Sequence, residues 1–94
     1  MMKNDVKVLK LVTGEELITR VTKREVDLIT IDKPMKVQSI KTKQGERWSA
    51  TLIPWMKVAK CEKITISTEY ILTEDDPLEE AENDYLSMVT GLTL

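Results

Sequence analysis

The segment Val6 to Val21, VKVLKLVTGEELITRV, constrains this chain more than any other stretch. Val, Leu and Ile recur at alternate positions on both sides of Gly14, the two-residue period of half-buried strands. Glycine reaches positive φ without steric cost, so the segment predicts a hairpin: strand from Val6 to Val12, a bend at Gly14, strand from Glu16 to Thr22. A chain that opens this way must cover the apolar face of the hairpin with further strands or a helix.

The rest of the sequence supplies both. Lys23-Arg24-Glu25 is expected as a polar turn. Val26 to Ile31, VDLITI, is a third β-rich run; Pro34 limits pairing locally, and Met35 to Ile40 reads as the same strand continued past a kink. Lys41 to Glu46, KTKQGE, is expected as a charged hairpin loop and Arg47 to Ile53 as the fourth strand. Pro54-Trp55-Met56 breaks the pattern, Lys57 to Glu62 connects, and Lys63 to Ser67 and Tyr70 to Thr73 are two short strands or one bent strand. Closely spaced short strands joined by hairpin loops predict a small antiparallel barrel.

The last segment has a different period. Asp76-Pro77-Leu78-Glu79 carries helix-start signals: an N-cap carboxylate, a proline at the first helical position and a capping-box glutamate. Leu78, Ala81, Tyr85 and Met88 recur at three- and four-residue spacing and predict one apolar helix face, ended by Gly91. The expected organisation is a β-barrel over residues 1–74 and an acidic C-terminal helix over 75–94, packed on its own barrel or on a neighbouring subunit.

With 94 residues, the chain is one small domain of a size that gains stability from oligomerisation. The net charge of -2 hides a division. All 14 Lys and Arg fall in residues 1–63 beside 8 acids, a balance of +6, while residues 64–94 hold the other 8 acids and no base. The acidic part reads as a solvated helix face. The basic body is suited to an acidic partner or nucleic acid.

Several function classes are disfavoured. The longest uncharged run, Tyr85 to Leu94, is ten residues, half of what a spanning helix needs, so no membrane association is expected. The N-terminus lacks the apolar stretch of a secretory signal. Cys61 is the single cysteine, so no internal disulfide forms, and cytoplasmic residence is the simplest reading. Histidine is absent, which removes the commonest general base and metal ligand. One cysteine cannot build a structural zinc site. Gly14 and Gly45 stand alone rather than in a phosphate-cradling loop. No cofactor, metal or enzymatic activity is expected. Trp55, in LIPWM, reads as a hydrophobic plug or subunit contact, or as a base-stacking platform beside Lys57 and Lys60. Trp48, next to Arg47, carries the same two readings.

The run KVLKLVTGEELITRV followed by DLITIDKPMKV resembles the first motif of Sm-like (LSm) proteins, a bent hairpin with a turn glycine running into a third strand. The order of Thr13-Gly14-Glu15-Glu16, Pro54-Trp55-Met56 and an acidic C-terminal helix is similar to that in small Sm-like proteins of marine tailed phages. The resemblance implies a mostly β fold, a small SH3-like, strongly bent five-stranded antiparallel barrel with one C-terminal helix. It also implies a cyclic homo-oligomer built by edge-strand pairing, and, with the basic body, RNA or another polyanion as ligand, single-stranded RNA among them.

On that resemblance Lys23, Arg24 and Asp27 are the loop residues at the RNA site, with Arg20, Lys33 and Lys36 as electrostatic helpers. In Sm-like proteins that bind uridine-rich RNA, an Asp and an Asn occupy the loop between strands two and three. Here Asp27 stands in for the Asn, and the Asp has no counterpart unless Asp32-Lys33-Pro34-Met35 takes that place. The family's Arg-Gly between the last two strands is replaced by Ser67-Thr68-Glu69. These departures support a second expectation, a protein-interaction module such as a phage factor acting on a host protein.

Overall fold

The computed structural model describes residues 5–39 and 50–90. Six strands and one helix follow in chain order: β1 Val6–Leu11, β2 Glu16–Arg24, β3 Leu28–Ser39, β4 Ala50–Pro54, β5 Lys63–Ser67, β6 Ile71–Asp75 and α1 Glu79–Thr90. All pairings are antiparallel, in the order β4-β3-β2-β1-β6, with β5 also on β3. The fold is the mostly β, bent antiparallel sheet with one C-terminal helix that the sequence predicts.

The opening hairpin forms around Gly14 at φ +98°, with Val6 opposite Arg20 and Lys10 opposite Glu16. The turn is closed by the Gly14 amide donating to the Leu11 carbonyl at 2.9 Å and the Leu11 amide to the Glu15 carbonyl at 2.8 Å.

β3 organises the sheet. Its first half, Leu28–Asp32, pairs with β5, and its second half, Met35–Ser39, pairs with β4. Since β2 runs along the other edge of both halves, β4 and β5 lie end to end on one side of β3. Six strands thus behave as five, with the fourth interrupted by the segment 55–62.

The kink in β3 has a specific form. Arg20 faces Asp32 and Ile18 faces Met35, so β3 advances three residues where β2 advances two. The extra residue is a β-bulge that contains Lys33, at φ +53° the single non-glycine with positive φ among the described residues. One inserted residue swaps every following side chain to the other face of the sheet. Ile29 and Ile31 accordingly join Leu9, Leu11 and Leu17 inside the barrel. Met35 and Val37 turn to the opposite face, against Val6, Ile18, Leu52, Ala81 and Tyr85. Without the bulge all four would share one face.

That second layer is where α1 docks. Ala81 and Tyr85 are buried, and Leu86 and Val89 pack beside them. The expected face of Leu78, Ala81, Tyr85 and Met88 is corrected here: Leu78 is 64% exposed and Met88 47%. The helix also starts later than the N-cap signals predict. The Glu82 amide donates to the Leu78 carbonyl at 2.9 Å, and the Asp76 carboxylate is held 2.6 Å from the Lys7 ammonium instead of capping the first turn. A long-range ion pair has claimed the residue that local chemistry assigns to the cap. Glu79, Glu80 and Glu82 still sit in the first turn, near the positive end of the helix dipole.

Two further boundaries differ from expectation. Lys23 and Arg24 end β2 rather than forming a turn, because a second bulge, between Val21 and Lys23, keeps them paired with Thr30 and Ile29. Lys63–Ser67 and Ile71–Asp75 are separate strands on opposite edges, split by a 3-10 turn over Thr68–Tyr70. The loop expected over Lys41 to Glu46, and Trp48 with Arg47, lie outside the described residues.

Candidate nucleic-acid interface

The turn between β2 and β3, Glu25-Val26-Asp27, meets the 3-10 turn Thr68–Tyr70. The Thr68 amide donates to the Asp27 carbonyl at 3.0 Å, and the Val12 amide donates to the Tyr70 carbonyl at 2.8 Å. Val12 and Asp27 follow opposite ends of the β1–β2 ladder and of β2, a strand whose nine residues would extend about 30 Å if straight. Thr68 and Tyr70 are two peptide units apart, about 7 Å at most. Only strong curvature of the sheet lets one short turn bond to both sites, and this closes one end of the barrel. The two turns therefore form a single surface.

Charges on that surface are largely compensated within the chain. The Lys23 ammonium lies 3.1 Å from the Glu25 carboxylate. Arg24 makes a two-pronged contact with Glu74, one arm at 3.2 Å, and this hydrogen-bonded carboxylate pushes the guanidinium pKa up from its ordinary value. Asp27 and Glu69 are exposed at the same place.

The other residues singled out from sequence are distributed along the β2–β3 ladder. Arg20 lies opposite Asp32, and its Nε is buried with no hydrogen-bond partner. Lys33 sits at the bulge, 3.1 Å from Glu62 and 3.9 Å from Asp32. The hydrogen bond to Glu62 is the main cause of its raised pKa. Lys36 faces Leu17 and lies 3.9 Å from Glu15. Lys36 and Lys23 are thus about 20 Å apart along the strands, at ~3.3 Å per residue. Lys23, Arg24 and Asp27 lie at the end of β2 and in the turn that follows it, with Lys23 directed to Glu25 and Arg24 to Glu74, and Arg20, Lys33 and Lys36 lie farther along the ladder.

Trp55 is half-buried against the barrel core, and its amide donates to the Pro34 carbonyl at 3.0 Å. It lines a shallow groove of about 150 Å³ together with Leu11, Val12, Ile66 and Tyr70. Tyr70, expected from sequence as the first residue of a strand, is an exposed aromatic of the 3-10 turn. Its place directly after Glu69, in the turn between the last two strands, was the available signal.

Tyr85 supports this geometry from behind. The Arg20 amide donates to its phenol oxygen at 3.2 Å, and the phenol proton is shared between the carbonyls of Asp32 and Lys33, each at 3.0 Å. Burial pushes the phenol pKa up to about 12. The Thr19 hydroxyl also donates to the Asp32 carbonyl, at 2.9 Å. These bonds satisfy backbone groups that the bulge removes from the sheet ladder.

The family model described as the Sm_like domain matches residues 8–86, a span that includes β2 to β6 and most of β1 and α1. No curated protein matches the chain.

Proposed function

Because the chain belongs to the Sm-like domain family, we propose that it works as a ring-forming binding module, not an enzyme, and that its ligand is single-stranded RNA. The observation that carries the ligand reading is the Thr68 to Asp27 hydrogen bond, which joins the two turns into one surface. On this reading Tyr70 and Trp55 offer stacking faces for bases. Lys23 and Arg24 turn to phosphate when RNA displaces their carboxylate partners, with Asp27 at the base edge. Arg20, Lys33 and Lys36 contribute long-range attraction, and Trp48 is assigned the same stacking or interface role as Trp55. Phosphate contacts make such binding fall steeply with salt. Labelled oligouridine is expected to bind the assembled ring at low salt; absence of binding there rejects RNA as the ligand.

A second reading is a protein-interaction module with no nucleic-acid role. It is supported by the internal pairing of Lys23 and Arg24 and by Glu25, Asp27 and Glu69 at the same surface, all of which oppose phosphate. The likeness of the TGEE hairpin, Pro-Trp-Met and acidic helix to small Sm-like proteins of marine tailed phages points to a phage factor acting on a host protein in the cytoplasm. Among the described residues no helix is long and apolar enough to cross a membrane. A pull-down from host lysate that recovers only nucleic acid counts against this reading.

A further inference from the structure

The described residues include three methionines and one cysteine, and all four line one cavity of about 310 Å³. Three separate parts of the chain supply them. Met35 follows the bulge in β3, Met56 and Cys61 belong to the segment 55–62, and Met88 lies in the last turn of α1. Met56 is 48% exposed, Met88 47%, and Cys61 is exposed as well, so these sulfurs are reachable from solvent. The largest fully buried side chains, by contrast, are those of Val, Leu, Ile, Thr and Tyr. Sulfur is thus gathered at one open cavity and kept out of the core. The cavity also accounts for Met88, which fits the helical period and yet is not buried.

We propose that this cavity is a binding site for a soft monovalent metal ion, Cu(I), held by the thioethers of Met35, Met56 and Met88 and the thiolate of Cys61. Thioether and thiolate donors select Cu(I) over harder ions. Donors suited to harder ions are scarce here. Histidine is absent from the chain, and Glu62, the cavity's one carboxylate among the described residues, lies 3.1 Å from the Lys33 ammonium. Among the described residues no group of three or more Cys, Asp or Glu could hold a metal ion, which disfavours zinc and calcium. Methionine is unbranched and flexible, so half-exposed thioethers close on an ion without movement of the sheet. Cys61 binds as the thiolate and its proton passes to water. One positive charge leaves as one enters, so Lys33 and Lys57 at the same cavity meet no added charge. The copper stays monovalent throughout. The site is separate from the turn surface and independent of either ligand reading given for it.

Anaerobic titration of the full chain with Cu(I), in competition with the chromophoric chelator bathocuproine disulfonate, tests it. Wild type is expected to take up a single Cu(I) per 10.8 kDa chain. Met56→Leu and Met88→Leu, changes of similar volume at half-exposed positions, should each weaken uptake by about tenfold or more. Cys61→Ser should weaken it further and remove its rise with pH. Circular dichroism checks the folding of each variant. A second measurement needs no variant: Ag(I), a redox-inert probe of the same softness, should shift the methyl NMR signals of Met35, Met56 and Met88 in wild type. The site is overturned by absence of Cu(I) uptake, by unchanged affinity in all three variants, by Zn(II) binding as tight as Cu(I), or by Ag(I) shifts confined to Met1 and Met2. The methionines are then only a flexible lining of the cavity.

Discussion

The phenol oxygen of Tyr85, in the C-terminal helix, accepts the amide proton of Arg20 at 3.2 Å, 65 residues earlier in the chain. The same hydroxyl reaches the carbonyls of two consecutive peptides, Asp32–Lys33 and Lys33–Pro34. A single side chain thus ties the helix to the bulge that turns β3 from the barrel interior to the helix layer.

Removing only that hydroxyl, in Tyr85→Phe, takes a partner from the Arg20 amide and the Lys33 carbonyl, while the Asp32 carbonyl keeps the Thr19 hydroxyl. The expected loss is about 1–3 kcal/mol, measured as a lower urea midpoint. Tyr85→Ala removes the ring as well and should lose about 3–5 kcal/mol, with the helix detached.

The raised phenol pKa sets a pH dependence. In the unfolded chain Tyr85 ionises near its ordinary value of 10.0, and in the folded protein near 12. Between these values the unfolded state has lost a proton that the folded state retains, so stability falls as pH rises through the window. The contribution is fully present below pH 10. Unfolding midpoints followed from pH 9 upward should show this fall in wild type, and Tyr85→Phe should lack its share.

Lys33 occupies a backbone region that disfavours side chains. Its amide donates to the Glu62 carbonyl at 2.9 Å and its carbonyl accepts from Tyr85, so the conformation is imposed from outside. Lys33→Gly should remain within about 1 kcal/mol of wild type, the relieved strain offsetting greater freedom of the unfolded chain and a weak surface ion pair. The β-branched Lys33→Val should lose about 1–3 kcal/mol. Equal urea midpoints for the two variants would contradict this account of the bulge.

Gly14 gives a contrasting case. A methyl group there meets nothing within 4 Å, so Gly14→Ala meets no clash and suffers only from positive φ. The expected loss is about 1 kcal/mol, read as a lower melting temperature with an unchanged circular dichroism spectrum.

If RNA is the ligand, the acids beside Lys23 and Arg24 act as competitors for phosphate. Glu25→Gln and Glu74→Gln should each strengthen oligouridine binding by several-fold at low salt. Each freed cation should steepen the salt dependence by roughly 0.7 in the log–log slope. Unchanged affinity in both variants argues that these cations do not face RNA.

The elements readable from sequence are those whose determinants lie close together in the chain. The hairpin around Gly14 needs only a period of two and one permissive backbone position. The β5 strand Lys63–Ser67 and the existence of a C-terminal helix are similarly local. The helix start is not legible locally because Asp76, a good cap by its neighbours, is paired with Lys7. Leu78 and Met88 fit a helical period, yet the docking surface reaches only Ala81, Tyr85, Leu86 and Val89. At the candidate interface, the residue types were legible while their pairing was not: Arg24 meets Glu74 fifty residues away, and Tyr70 becomes relevant only through the turn that places it beside Trp55.

By itself, then, the sequence determined a small antiparallel β domain with a glycine-centred opening hairpin, an acidic terminal helix and a divided charge. Alternation, helix periodicity and glycine conformation are properties of neighbouring residues and act before any fold exists. Tertiary structure alone decided where β3 changes face, which helix residues are buried, which cations are engaged, and that Met35, Met56, Cys61 and Met88 line one cavity. Each of these depends on groups tens of residues apart meeting in space, because a backbone strain at Lys33 or an ion pair at Arg24 persists only when distant partners supply the hydrogen bonds that offset it.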